Sequence, residues 1–209
     1  MKKKISTIIF GLRNILAHAE QTDFHLFIAK NLGIKDHQKS KTIKNLILQY
    51  ELGEISTELL INGLIKESEL PVQALDLIRL WNKILLGVPE GTPSLLKSLK
   101  KKYSTFIIAN TNPLHIQWTN RHLNQQFGVS GFVPHWVDGV FYSHLIRSRT
   151  TDPAFYAYVQ NKVATPPEKI LLIDESSDNL HCARLAGWNT QSHLPNHLIT
   201  STFNKMDNS

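Results

Sequence analysis

Ile8-Ile9-Phe10-Gly11-Leu12-Arg13-Asn14-Ile15-Leu16 is a short apolar run that passes directly into a turn of small and polar residues. A continuous β-rich apolar run is the pattern of a parallel strand buried on both faces, and open α/β sheets place their ligands at the carboxyl ends of such strands. The reading predicts a strand over 5–10 whose tip exposes Gly11 to Asn14 at the sheet edge. A reactive side chain belongs at that tip, and Gly11 has no side chain.

Working outward, the period changes after Leu16. Apolar residues at helical spacing predict helices over 22–32, 36–52, 56–65 and 71–86, with Asp36 and Ser56 or Thr57 as caps and Gly53 and Gly87 as stops. Four helices between two strands exceed what one crossover needs, so 17–86 reads as an inserted helical cap and 1–16 with 87–209 as an α/β core. Thr92-Pro93 predicts an N-cap and a first helical proline. A strand over 105–108 then ends in Ala109-Asn110-Thr111-Asn112, and a helix follows over 113–126. A short extended run over 139–143 leads to a third polar tip, 147–153, and to another helix. Lys169 to Ile173 predicts a last buried strand, closing in Asp174-Glu175-Ser176, with a helix over 176–186 stopped by Gly187. The tail from Asn196 has no strong pattern, and its last residues are expected to be mobile. Alternating strands and helices with polar strand tips predict a doubly wound, mainly parallel sheet.

The chain has 209 residues and a formal charge of +6, but the cations lie in scattered runs, Lys2 to Lys4, Lys30 to Lys44 and Lys97 to Lys102. Lys97, Lys100, Lys101 and Lys102 crowd the end of a predicted helix, where they complement its dipole, so no nucleic-acid partner is expected. No stretch approaches the roughly 18 apolar residues of a membrane helix, so no membrane partner is expected. One cysteine, Cys182, allows no internal disulfide and leads to the expectation of a cytoplasmic setting, with the thiol itself buried and structural. The ten histidines include no H-x-x-x-H pair on a recognisable helix, so they are not expected to ligate metal. The four tryptophans are expected in the core or under the insert, Trp136 possessing an alternative surface reading.

Five segments, in order, resemble the motifs of the haloacid dehalogenase (HAD) superfamily, in its phosphatase-like branch with a helical cap after the first motif. Phe10 to Leu16 is similar to F-D-L-G-N-V-L, and Glu51-Leu52-Gly53-Glu54-Ile55-Ser56 to E-x-G-x-I-S. Ala109-Asn110-Thr111-Asn112 with His115 resembles S-N-T-N followed by His, and Arg149-Thr150-Thr151-Asp152-Pro153 resembles R-K-P-D-P. Ile173-Asp174-Glu175-Ser176 with Asn179 and Gly187 resembles I-D-D-S-x-x-N ending in A-G. The resemblance implies a Rossmannoid HAD-like core. It also implies a site where an aspartate attacks phosphorus, a hydroxyl and a lysine hold the phosphoryl group, and acids bind magnesium.

Carried over residue by residue, the nucleophile position is Gly11, the hydroxyl position is Ala109 and the lysine position is Thr150, while Asp174 and Glu175 stand at the metal-binding acids. No catalytic residue is therefore expected. The degenerate site is expected to be lined by Gly11, Leu12, Arg13, Asn14, Ala109, Asn110, Thr111, Arg149, Thr150, Asp174 and Glu175. No cofactor is expected, and Asp174 with Glu175 alone would give magnesium a poor site. Arg13 either bridges the two carboxylates in the metal's place or points to solvent. The function expected is a catalytically silent binding protein for a small anionic or phosphorylated ligand or for a protein partner, with Arg13, Arg147, Arg149 and the amides after Ala109 as anion contacts. The alternative is an active hydrolase of a small phosphorylated metabolite with a repurposed site.

Overall fold

The computed structural model describes residues 4–20, 22–195, 197–200 and 203. The end of the tail, with its expected mobility, and Met1 to Lys3 lie outside the described residues.

Strand β1, Thr7–Gly11, is buried at every position. It lies between two parallel neighbours, β4 (Ser104–Ala109) and β6 (Ile170–Asp174). With β5 (Gly139–Tyr142) and β7 (Asn189–Ser192) they form a five-stranded sheet in the order β5-β4-β1-β6-β7, every pair parallel. Successive residues of β1 point to opposite faces: Ile8 and Phe10 join the core on one side with Ile107, Leu171 and Ile173, while Ile9 joins Ile108, Ile170 and Leu172 on the other. Both faces are covered, which is why the strands read as unbroken apolar runs. The chain builds outward from β1 to β5 and then returns to the other side with β6 and β7, so the strand order reverses beside β1. Ligands of such sheets bind at that reversal, outside the carboxyl ends.

The helices of the core are α5 (Thr92–Lys100), α6 (Pro113–Phe127), α7 (Ser143–Ile146), α8 (Pro153–Val163) and α9 (Ser177–Leu185). Asn112, Asp152 and Ser176 cap α6, α8 and α9 by accepting backbone N–H bonds, and Pro113 and Pro153 open their helices. The Lys100 ammonium donates to the Pro134 and Val137 carbonyls and pairs with Asp138, so that part of the lysine run is structural. Trp136, given two readings from sequence, is buried, whereas Cys182 is only half-buried and its Sγ faces the Thr151 carbonyl at 3.6 Å, against the expectation of a buried thiol.

Between β1 and β4 the chain folds α1 (Phe24–Asn31), α2 (His37–Glu51), α3 (Thr57–Glu67) and α4 (Ala74–Asn82) on an apolar cluster of their own, centred on Ile28, Leu32, Ile43, Tyr50, Leu60, Leu64 and Trp81. Asp36 and Ser56 cap α2 and α3 as their sequence positions require. The helix expected to reach residue 86 stops at Asn82. Beyond it, β3 (Leu85–Gly87) pairs antiparallel with β2 (His18–Ala19), a ribbon that joins the insert to the core. Gly87 is therefore a strand residue and not a helix stop; at φ 108° it lets the chain pass His122, whose Nε2 accepts the Val88 N–H. Thr92 is the first residue of α5 and not its cap, a position that Gly91 takes.

The insert is bolted down by buried polar contacts. The Tyr50 hydroxyl accepts the Leu114 N–H at 3.2 Å and shares a hydrogen bond with Thr57 Oγ1 at 2.8 Å. Trp81 Nε1 donates to Asn112 Oδ1 at 3.0 Å, and Ser143 Oγ donates to the Glu51 carbonyl at 2.7 Å. Gly53, at φ 65°, lies against the His144 carbonyl so closely that any Cβ would collide with it.

Leu114 lies in the first turn of α6, where no carbonyl of the helix can accept its N–H. Tyr50→Phe leaves that buried donor without its partner and is expected to cost about 1–3 kcal/mol, read as a lower midpoint in urea unfolding with little change in slope.

Candidate active site

Three strand tips converge on a cleft of about 350 Å³. From β1 come Gly11, Leu12 and Arg13; from β4 come Ala109, Asn110 and Thr111; from β6 come Asp174 and Glu175; Arg149 arrives from the loop before α8. These nine of the eleven expected residues line it. Asn14 and Thr150 do not, and each has another task. Asn14 sits at φ 56°, a left-handed conformation that asparagine tolerates, and its side chain accepts the Ala19 N–H at 3.1 Å, which sets the chain's exit toward the insert.

Thr150 is buried and joins a chain of neutral groups. Asn110 donates its amide to Thr150 Oγ1 at 2.7 Å and accepts the Thr150 N–H at 2.9 Å. The Thr150 hydroxyl donates to Asn179 Oδ1 at 2.8 Å, and Asn179 Nδ2 donates to the Asp174 carboxylate at 3.2 and 3.3 Å. The hydroxyl accepts from one amide and donates to the next, so the chain is satisfied without a charge. Where the resemblance would put a lysine beside the acids, uncharged hydrogen bonds link β4 to β6.

Asp174 is 2% exposed, and its Oδ1 also accepts the Ser176 N–H at 2.8 Å. Burial, reinforced by the neighbouring Glu175 carboxylate, pushes its pKa up to about 7. Its side chain lies across the tip of β1. A Cβ on Gly11 would collide with Asp174 Oδ2 and stand 2.9 Å from its Cγ. Gly11 is not in a left-handed conformation, so its backbone does not demand glycine; a Cβ there is disfavoured by the Asp174 side chain, which would have to shift.

The two arginines are already paired. Arg149 Nη1 donates to Glu51 Oε2 at 2.9 Å, tying α2 of the insert to the core. Arg13 Nε reaches Glu175 Oε1 at 3.4 Å, and its side chain is 58% exposed. The bridge from Arg13 to both carboxylates is therefore not formed: the guanidinium meets Glu175, while Asp174 is served by Asn179 and Ser176. Arg147, another expected anion contact, caps α7 at φ 59°, is exposed and is not among the residues lining the cleft.

The insert supplies residues that sequence reasoning had not placed in the site. Phe24, Ile84 and Leu85, together with Ala17 and Ala19, form an apolar wall opposite the strand tips, and Glu51 adds a carboxylate. Burial pushes His115 down to about 4, so its ring is neutral. Its Nε2 lies 3.1 Å from the Trp81 carbonyl, which requires the proton on that nitrogen, leaving Nδ1 to accept from the Asn112 amide. Glu51, His115 and Asn179 belong to the quoted motifs, so a signal for them was present; Phe24 and Leu85 had none beyond helical spacing.

Magnesium asks for near-octahedral oxygen ligands, commonly one or two carboxylates with several waters. Here position 11 offers no side-chain oxygen, Asp174 already accepts from two donor groups, the Ser176 N–H and the Asn179 amide, and Glu175 faces a guanidinium. Among the described residues no group of three or more His, Cys, Asp or Glu side chains could hold a metal ion. The donor set does not fit the ion.

Asp174 also gives the fold a pH dependence of stated sign. A carboxyl raised from 3.8 to about 7 keeps in the folded state a proton that the unfolded chain releases at lower pH, so stability falls as pH rises across that window. Urea midpoints of the wild type are expected to decline between those two values more steeply than those of Asp174→Asn; parallel profiles would assign the proton elsewhere.

No family model and no curated protein matches the sequence. Solved structures do. A HAD family enzyme from Bacteroides thetaiotaomicron superimposes with a TM-score of 0.83 at 20% identity, covering 96% of this chain and 99% of its own. The same enzyme in complex with magnesium and inorganic phosphate gives 0.80 at 20% identity over 95% of this chain and 99% of its own. A HAD-like family hydrolase from Porphyromonas gingivalis gives 0.79 at 19% identity over 99% of this chain and 100% of its own. The likeness extends along nearly the whole chain, and what it establishes is the architecture: the protein has the HAD-like hydrolase fold.

Proposed function

We propose that this protein is a small-molecule binding protein on a HAD-like hydrolase scaffold, without phosphohydrolase chemistry of its own. The observation that carries the reading is the contact between Gly11 and Asp174. Covalent phosphoryl transfer through a carboxylate has no first step without the attacking group, and here the neighbouring side chain occupies the room which that group would need. The losses at Ala109 and Thr150 agree with it. A phosphoryl group needs donors and cations aimed at its oxygens, whereas Ala109 has no hydroxyl and Thr150 spends its own within the chain from Asn110 to Asn179. The cleft itself persists, enclosed by the insert, which supports retained binding.

A second reading is an active hydrolase with a repurposed site. The observation in its favour is Asp174, which exchanges a proton near neutrality beside the cleft, as a general acid or base would.

Assays on an aryl phosphate and on a panel of sugar phosphates, with magnesium present, separate the two. The expected result is no turnover above that of Asp174→Asn; turnover that copurifies with the protein and vanishes in that variant would establish the second reading. The packing argument has its own check. Gly11→Ala is expected to lower stability by about 1–3 kcal/mol through overpacking, and to cost clearly less in an Asp174→Ala background, a coupling that a double-mutant cycle in urea reads directly.

A further inference from the structure

Six Asp, Glu and Arg side chains line the cleft, yet it offers an ion little. Arg13 meets Glu175 at 3.4 Å and Arg149 meets Glu51 at 2.9 Å, so four of the six are matched in two pairs. Asp174, its pKa pushed up to about 7 by burial, keeps its proton below neutrality, and Asp178 is exposed, where water and salt screen it. An anion entering here would have to draw an arginine from its carboxylate, and a cation would have to draw a carboxylate from its arginine. Either exchange leaves one charge uncompensated, and at Glu51, whose side chain is 17% exposed, that is costly. The uncharged polar groups are engaged inside the protein as well. Asn110 and Thr150 bond each other in both directions, and Asn179 links Thr150 to Asp174. Thr119 Oγ1 donates to the His115 carbonyl at 2.8 Å, and both ring nitrogens of His115 have partners.

What the cleft leaves open is apolar. Phe24 and Leu85 line it and are only half-buried, and Leu12 and Ile84 extend the same surface. The Phe24 ring is held edge-on to Trp81 with centroids 4.8 Å apart and to His115 at 5.4 Å, which fixes the surface it turns to the cleft. Covering such surface is favourable by about 25 cal/mol per Å² and requires no countercharge. A volume of about 350 Å³ lies at the small end of ligand pockets. Resting on the reading of the cleft as a retained binding site, we propose that its ligand is a small uncharged organic molecule, an aromatic or branched aliphatic body bearing at most a hydroxyl or carbonyl group. Its body packs on Phe24 and Leu85, and both arginine–carboxylate pairs stay closed around it. Affinity then comes from apolar burial, so it is insensitive to salt and carries a negative heat-capacity change.

Three probes of similar shape and different charge test this: 2-phenylethanol, 2-phenylethylammonium and phenyl phosphate, titrated into the full chain below neutral pH and followed by calorimetry or by NMR shifts. The alcohol is expected to bind about tenfold or more tighter than either ion, with the same affinity at low and high salt. Phe24→Ala and Leu85→Ala are each expected to weaken the alcohol severalfold, with urea unfolding confirming that the variants are folded. Glu51→Gln, which releases the Arg149 guanidinium, is expected to raise the affinity for phenyl phosphate relative to the alcohol. An ion that binds the wild type as tightly as the alcohol, an affinity for the alcohol that neither folded variant changes, or no binding of any probe would each overturn the inference. Hydrolysis of phenyl phosphate in the same samples would instead overturn the binding reading on which it rests, so the two failures are distinguishable.

Discussion

The site depends on a steric constraint at the tips of two adjacent strands. β1 and β6 lie side by side in parallel register, Phe10 opposite Ile173, so the residues that follow each, Gly11 and Asp174, are neighbours at the sheet edge. With the Asp174 side chain turned across that edge, a Cβ on residue 11 would meet its carboxylate unless that side chain shifts. Asp174 accepts from two uncharged donors there, the Ser176 N–H and the Asn179 amide, and its raised pKa comes from burial and the neighbouring Glu175 carboxylate. Bringing a second acid into the same space would add repulsion and overlap together. The glycine at position 11 is thus favoured by the packing of a partner 163 positions away in sequence, a cause distinct from the turn-forming role glycine usually has after a strand.

The same constraint bears on the residues around it. A lysine at position 150 would be charged in a buried place, and its natural partners would be the acids of the β1 and β6 tips. With one acid absent and Asp174 holding a proton near neutrality, little charge remains for it to balance, and burying an uncompensated ammonium is costly. A threonine fits instead: one hydroxyl accepts from Asn110 and donates to Asn179, and the loop before α8 is held to two strand tips by neutral bonds. The charged pairs of the cleft are Arg13 with Glu175 and Arg149 with Glu51 of the insert.

Much of this was legible in the sequence, for physical reasons that also mark the limit. Buried parallel strands need apolar residues at every position, so β1, β4 and β6 stand out, and the helices with Asp, Asn or Ser caps announce their starts. β7 reads Asn-Thr-Gln-Ser and lies at the edge, where backbone pairing with β6 suffices and apolar side chains are not required. The ribbon of β2 and β3 is hidden because Ile84 and Leu85 continue the helical spacing of Leu77 and Trp81 although the backbone has already changed partner. That Gly11, Ala109 and Thr150 stand where the resemblance implies an acid, a hydroxyl and a lysine could be read from the motifs. Spacing could not show that Asp174 fills the first of them, that Arg13 meets only Glu175, or that Phe24 and Glu51 complete the cleft from the insert. Those facts depend on side-chain direction and on packing between distant segments.

How the insert is attached decides what sort of cavity this is. A lid that opens with each ligand needs few and exposed contacts along its seam. Here the seam includes the Tyr50 hydroxyl under α6, the Trp81 indole on Asn112, Ser143 beneath the end of α2, and Gly53 pressed on the His144 carbonyl. Swinging the insert away would break several of these at once, each worth about 1 kcal/mol net and more when a buried group is left unpaired. The apolar wall is therefore fixed relative to the strand tips, and the cavity between them is preformed.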